Sequence, residues 1–167
     1  MATYRSNGFT EYPRNPANSS GKKMKTVFFE ATIASATNED GDVWILSGPH
    51  SFDDKIAAIR GSTPALTAAV DNDLGFFKKN EDGTFTAIDA AILWDGVTLA
   101  SALSYRELLG TLNTSLDRDD NIGKLLGKNS DQEYIGGVYL GLTMNTASTA
   151  ATADLKLEVV IEEATTK

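Results

Sequence analysis

The chain has 167 residues, enough for one domain with a sizeable core, and no cysteine, which excludes disulfides, thiolate metal sites and cysteine nucleophiles. Its net charge of −8 divides unevenly: residues 1–25 carry Arg5, Arg14, Lys22, Lys23 and Lys25 against Glu11, a net of +4, while the other 142 residues carry 10 basic and 22 acidic groups, a net of −12. So acidic a body disfavours broad binding to phosphate backbones, and no nucleic-acid partner is expected.

Residues 1–25 read as an extended N-terminal arm. Tyr4, Phe9 and Tyr12 stand among Asn, Ser, Gly and Pro with neither a helical nor an alternating apolar period, so the segment is too polar to fold by itself. The three aromatics are spaced like anchors for pockets on a partner, with Arg5, Arg14, Lys22 and Lys23 steering the encounter. An arm folded back on its own body is the alternative, because terminal strands often dock in their own sheet.

From Thr26 the pattern changes. Val27, Phe29, Ala31 and Ile33 alternate with Phe28, Glu30 and Thr32, the two-residue period of a half-buried strand, and the domain spanning 26–167 starts there. Asn38-Glu39-Asp40-Gly41-Asp42 supplies turn chemistry before Val43-Trp44-Ile45-Leu46, a strand that Ser47-Gly48-Pro49 interrupts. Two more strands are expected over 55–60 and 66–70, separated by Gly61-Ser62-Thr63-Pro64, with a helix as the alternative for the second. Residues 74–77 and 84–88 flank a polar connection ending in Asp82-Gly83 and form a β-hairpin. Ile92-Leu93-Trp94 adds a separate apolar patch. Residues 105–109 and 120–126 suit one or two helical turns each, the second capped by Asp119 or Asp120. Near the end, Val138, Leu140 and Leu142 alternate with Tyr139, Gly141 and Thr143, and Leu155, Leu157, Val159 and Ile161 alternate with Lys156, Glu158, Val160 and Glu162. These are two long antiparallel strands, each with one face in the core. The fold class is therefore all-β: an antiparallel, jelly-roll-like β-sandwich with one or two short helices.

Chemistry-bearing patterns are few. His50, the only histidine, lies in Ser47-Gly48-Pro49-His50-Ser51 and reads as a solvated loop residue, since acid–base and zinc sites need several convergent groups. No serine sits in a Gly-x-Ser-x-Gly elbow. Asp117-Arg118-Asp119-Asp120-Asn121 starts like a calcium loop, but Ile122 replaces the sharp-turn glycine and Lys128 the bidentate glutamate, so a solvated, helix-capping loop competes with calcium. Asp71-Asn72-Asp73 reads as a strand-end turn. Gly136-Gly137, inside a strand pattern, reads as close backbone approach or a bulge. Trp44 and Trp94 belong to apolar runs and are expected in the core rather than as sugar-stacking platforms. No catalytic residue, metal or cofactor is expected. The first five residues lack the apolar run of a secretory signal, and no stretch reaches the ~18 apolar residues of a membrane span, so a soluble, cytoplasmically made protein without a membrane partner is expected.

Three stretches carry a resemblance. The polar start with Arg5-Ser6-Asn7-Gly8, the run from Asp53-Asp54-Lys55-Ile56 through Leu66-Thr67-Ala68-Ala69-Val70-Asp71-Asn72-Asp73-Leu74-Gly75-Phe76, and the ending Tyr139-Leu140-Gly141-Leu142-Thr143-Met144 with Leu155-Lys156-Leu157-Glu158-Val159 together resemble small virion structural proteins of tailed bacteriophages. The resemblance implies a non-enzymatic head-decoration or cement protein, a β-sandwich on the lattice of the major capsid protein, often oligomeric and located at the capsid surface. The arm residues Tyr4, Arg5, Phe9, Tyr12, Arg14, Lys22 and Lys23 would then contact the partner. The alternative is a carbohydrate- or receptor-binding β-sandwich of a phage tail or fibre, with Trp44 or Trp94 exposed.

Overall fold

Alternating apolar residues form strands here because every second side chain can enter a shared core. The computed structural model describes residues 3–5, 23–33, 41–63, 71–98, 103–107, 120–128, 134, 136–145 and 153–164. Their elements, in chain order, are β1 (Thr3–Arg5), β2 (Lys23–Ile33), β3 (Val43–His50), β4 (Lys55–Thr63), β5 (Asp71–Lys79), β6 (Phe85–Thr98), β7 (Leu103–Glu107), α1 (Ile122–Leu125), β8 (Val138–Met144) and β9 (Ala153–Glu163).

They make two sheets, ordered β1-β3-β8-β5-β6 and β2-β9-β4-β7. Apart from β1, the strands pair antiparallel as β2 with β9, β3 with β8, β4 with β7 and β5 with β6. The chain is thus one long hairpin whose tip is the β5–β6 turn, rolled so that successive pairs fall in alternate sheets. That is a jelly roll, as the sequence pattern predicts.

The tip forms where expected. Asn80 N–H donates to the Thr84 carbonyl at 2.8 Å, Gly83 N–H to the Asn80 carbonyl at 3.0 Å, and Gly83 takes the left-handed φ of 85°. The Thr84 hydroxyl and backbone N–H both donate to Asp82 Oδ1, at 2.6 and 2.9 Å, and hold its carboxyl below the ordinary value.

Leu46, Ile59, Leu74, Phe76, Leu140 and Val159 are among the buried side chains that fill the space between the sheets. The expectation that β8 buries only one face is corrected: all seven of its residues are buried. Its inward Leu140 and Leu142 join the main core, and outward Tyr139 joins Val43, Ile45 and Phe77 in a second, smaller apolar cluster. The Phe85 ring meets Tyr139 edge-on at 5.0 Å, and Ala90 packs on the same cluster.

Two paired glycines make room for that second layer. Gly75 lies opposite Gly141. A Cβ on Gly141 would meet the Phe77 ring at 2.5 Å, and one on Gly75 would lie 2.5 Å from the Ala90 carbonyl carbon. The second approach arises because Phe76 pairs with Asp89 while Leu74 already pairs with Trp94, so the surplus residues of β6 bulge over Gly75. Ile92-Leu93-Trp94, expected as a separate patch, is part of this long irregular strand.

Other local readings change too. β2 starts at Lys23, three residues before the pattern suggests. Ser47-Gly48-Pro49 does not end β3, which continues to His50 through register shifts and a cis Gly48–Pro49 bond. Likewise β4 runs on through Gly61-Ser62-Thr63, while 66–70 lie outside the described residues. Over 105–107 the expected helical turn is replaced by β7, whose Glu107 pairs with Arg60 of β4, because sheet pairing overrides a weak helical pattern, while 108–109 lie outside the described residues. Asp71-Asn72-Asp73 opens β5 rather than forming a turn. α1 forms where expected, but Asn121 caps it, its Oδ1 accepting from Lys124 N–H at 2.8 Å, while Asp120 instead pairs with the Lys124 ammonium. Gly136 and Gly137 precede β8 rather than lying inside it. The expected close approach is present, since a Cβ on Gly137 would lie 2.6 Å from the His50 carbonyl oxygen.

Candidate functional site

The sequence directs attention to the arm, and the structure describes two parts of it. Thr3, Tyr4 and Arg5 form β1 and pair parallel with Val43, Trp44 and Ile45 at the edge of the first sheet. For these three residues the backbone follows the alternative in which the arm returns to its own body. Lys23 opens β2 opposite Glu163. Phe9, Tyr12, Arg14 and Lys22 lie outside the described residues.

The strand in which the arm ends, β2, adds two residues to the candidate site. Along β2, Val27 is buried while Met24 and Phe28 are 59 % and 67 % exposed, the exposed large hydrophobic side chains among the described residues. Both point away from the core, with Thr26, Glu30 and Thr32 on the same face by alternation. A signal was present: Phe28 falls on the polar side of the alternating pattern, where an aromatic ring has no core to enter.

Charges rule the rest of that face. Glu30 of β2 accepts from Lys156 of β9 at 3.0 Å, and this hydrogen bond, with the pair's mutual attraction, raises the Lys156 ammonium above its ordinary value. Thr32 Oγ1 donates to Asp154 at 2.9 Å, and Arg60 of β4 pairs with Glu158 at 3.3 Å. The face is a polar lattice with two apolar projections along one strand, a form suited to contact with a partner surface.

The side chains that could carry catalysis are held in structural roles. His50 is not in a solvated loop: it ends β3, is 3 % exposed, and shares a 2.9 Å hydrogen bond between its Nε2 and Ser47 Oγ. Ser47 is equally buried, so the pair ties the irregular end of β3 together and presents no open face to a substrate. Asp54 has a similar tying role: its Oδ2 accepts from Ser51 N–H at 2.8 Å and its Oδ1 from Ala164 N–H at 2.9 Å, joining the β3–β4 connection to the end of β9. α1 docks on that connection, with Ile122 N–H donating to Asp54 O and Gly123 N–H to Phe52 O, each at 2.8 Å.

Among the described residues no group of three or more His, Asp or Glu side chains could hold a metal ion. Asp117 and Asp119 of the calcium-like segment lie outside them. Trp44 and Trp94 are core residues, 6 % and 1 % exposed, so neither ring offers a stacking platform for a sugar. No helix among the described residues is long and apolar enough to cross a membrane.

Comparison with known proteins gives one line of likeness. No family model matches the sequence, and no curated protein matches it. Among solved structures, a chain of the "Cyanophage Pam1 capsid asymmetric unit" is similar in fold, with a TM-score of 0.55 and 10 % sequence identity over 92 % of this chain and 94 % of that one.

Proposed function

We propose that the protein is a non-enzymatic structural component of a bacteriophage head, which binds the major capsid protein lattice and decorates or cements the capsid surface. The observation that carries this reading is the likeness in fold to a chain of a capsid asymmetric unit across nearly the whole length of both molecules. The surface supports it as well: a basic arm leads directly into a strand bearing exposed Met24 and Phe28, and this combination of positive charge and apolar anchors suits docking on a neighbouring subunit. Each copy can bind weakly, because repetition over a shell supplies avidity. The buried tryptophans remove the support on which the sugar-binding alternative depended.

The test mixes the full chain with undecorated phage heads and counts bound copies after sedimentation. A variant carrying Phe9→Ala, Tyr12→Ala, Arg14→Glu and Lys22→Glu leaves β1 and the body unaltered and should bind about ten-fold more weakly, the effect of losing ~1.4 kcal/mol of contact. Binding equal to that of the parent would remove the arm from the interface. Failure of the unaltered chain to bind heads would remove the capsid reading itself.

A further inference from the structure

The three residues of β1 occupy a position that cannot be left bare. β3 is hydrogen-bonded to β8 on one side and to β1 on the other, and its Val43, Trp44 and Ile45 are buried on both faces of the sheet. An apolar strand with an open edge is a template for pairing with any extended segment. The edge is covered by Thr3–Arg5, and by nothing else among the described residues.

The cover is joined to the body by a long tether. Seventeen residues, 6–22, separate β1 from β2, and β1 and β2 belong to different sheets. At full extension such a segment spans roughly 56–61 Å, against about 37 Å for the diameter of a domain of this size from its expected radius of gyration. Seventeen residues are therefore long enough to span the body to an adjoining molecule. The whole of residues 1–25 carries a net of +4 against −12 for the rest, an attraction that draws this part of the chain to any copy and not only its own.

We infer that β1 is an exchangeable strand: Thr3–Arg5 of one chain pairs with the β3 edge of a second copy, in the same parallel register that it holds within one chain. This deepens the arm reading above and rests on it, naming the partner as a second copy and the receiving site as Val43-Trp44-Ile45. Contacts are identical in the closed and exchanged forms, so the balance depends on concentration alone. A connection of this length, if it behaves as a short polar linker, holds its own end near the edge at about millimolar effective concentration. Dilute chains close on themselves. Copies packed side by side meet or exceed that concentration and interlock without any new interface having to form.

The absence of cysteine makes the test clean. Thr3 lies opposite Val43, and neighbouring strands run about 4.8 Å apart, within the span a disulfide bridges. Full-length chains carrying Thr3→Cys alone and Val43→Cys alone are mixed one to one at millimolar concentration, equilibrated and oxidised, and the cross-links are read by non-reducing electrophoresis and peptide mass. Exchange predicts a covalent dimer joining position 3 of one chain to position 43 of another, formed at least ten-fold more than in a micromolar mixture, while the double variant at micromolar concentration closes within one chain. An Arg5→Cys and Ile45→Cys pair repeats the measurement at the other end of β1, so that a folding defect at position 43 does not decide it. If both double variants close internally and neither mixture yields a 3–43 or 5–45 dimer at any concentration, the inference is overturned. No heads are needed, so lost exchange with retained head binding removes only this inference, and exchange without head binding removes only the capsid reading.

Discussion

Replacing Gly75 with alanine tests the two-layered packing of the first sheet. The added methyl would stand 2.5 Å from the Ala90 carbonyl carbon and 2.6 Å from its oxygen, and closer still to the Asp89 carbonyl oxygen. Ordinary contact for such a carbon begins near 3.4 Å, so backbone atoms of the β6 bulge must retreat by about 1 Å. These atoms cannot swing aside as the tip of a side chain could. The bulge is anchored on both sides, by Leu93 and Trp94 in the main core and by Ala90 in the outer cluster, so its retreat loosens both layers. Overpacking ordinarily costs 1–3 kcal/mol; with the obstacle being backbone, a loss of about 3 kcal/mol is expected, equivalent to a fall in Tm of roughly 6–12 °C for a chain of this length. Urea unfolding followed by tryptophan fluorescence measures it, and Gly83→Ala is the companion variant. Nothing lies within 4 Å of a Cβ there, so only the left-handed backbone is strained, for about 1–2 kcal/mol. A Gly75→Ala chain within 0.5 kcal/mol of the parent would refute the claim that the bulge presses on this glycine.

Three other outcomes follow from the geometry. Asp54→Ala strands the Ser51 and Ala164 N–H groups and should cost about 2 kcal/mol, with loss of hydrogen-exchange protection at Ala164 and little change at the β5–β6 tip. Because Thr84 depresses the Asp82 carboxyl, its stabilising contribution is present above the unfolded value of 3.8 and is lost as pH falls through the lower folded value; an NMR titration should place its midpoint below 3.8, moving upward in Thr84→Val. Phe28→Ser, at an exposed position, should change stability by less than about 0.5 kcal/mol, whereas Phe76→Ala in the main core should cost about 3–5 kcal/mol by chemical denaturation.

Much of the sandwich was legible in the sequence because period-two alternation is a local property. β2, β8, β9 and the β5–β6 hairpin follow from alternating residues and from Asp82-Gly83, with no knowledge of what lies opposite. β7 was not legible, since the period loosens around 105–107 and the segment becomes a strand only when β4 supplies a ladder. The burial of His50 was hidden for a related reason: Gly48-Pro49 looks like a chain reversal, but the irregularity is absorbed as shifts in register against β8. The two-faced burial of β8 also escaped, because Tyr139, Gly141 and Thr143 read as an exposed face until Phe77 is seen lying across Gly141. As for the candidate site, the arm's charge and composition mark it in the sequence, while the pairing of Thr3–Arg5 with β3 depends on a bare edge formed by residues forty positions away. Phe28 is legible in the alternation itself, as an aromatic ring on the polar side of the strand.

The partnership of β2 with β9 has a consequence for how the chain is made. These strands are matched along eleven residues from Lys23↔Glu163 to Ile33↔Ala153, joining the two ends of the domain. At ordinary elongation speeds of 5–20 residues per second, β2 leaves the ribosome roughly 6–26 s before β9 is complete. During that wait one side of the second sheet has no zipper to close it, and hydrophobic Val27, Phe28 and Phe29 are shared with whatever the nascent chain meets. Closure of the second sheet therefore waits on β9 and is governed by the slow search that distant pairings impose, and chaperone demand during synthesis should fall if a circular permutant lets these two strands emerge in succession.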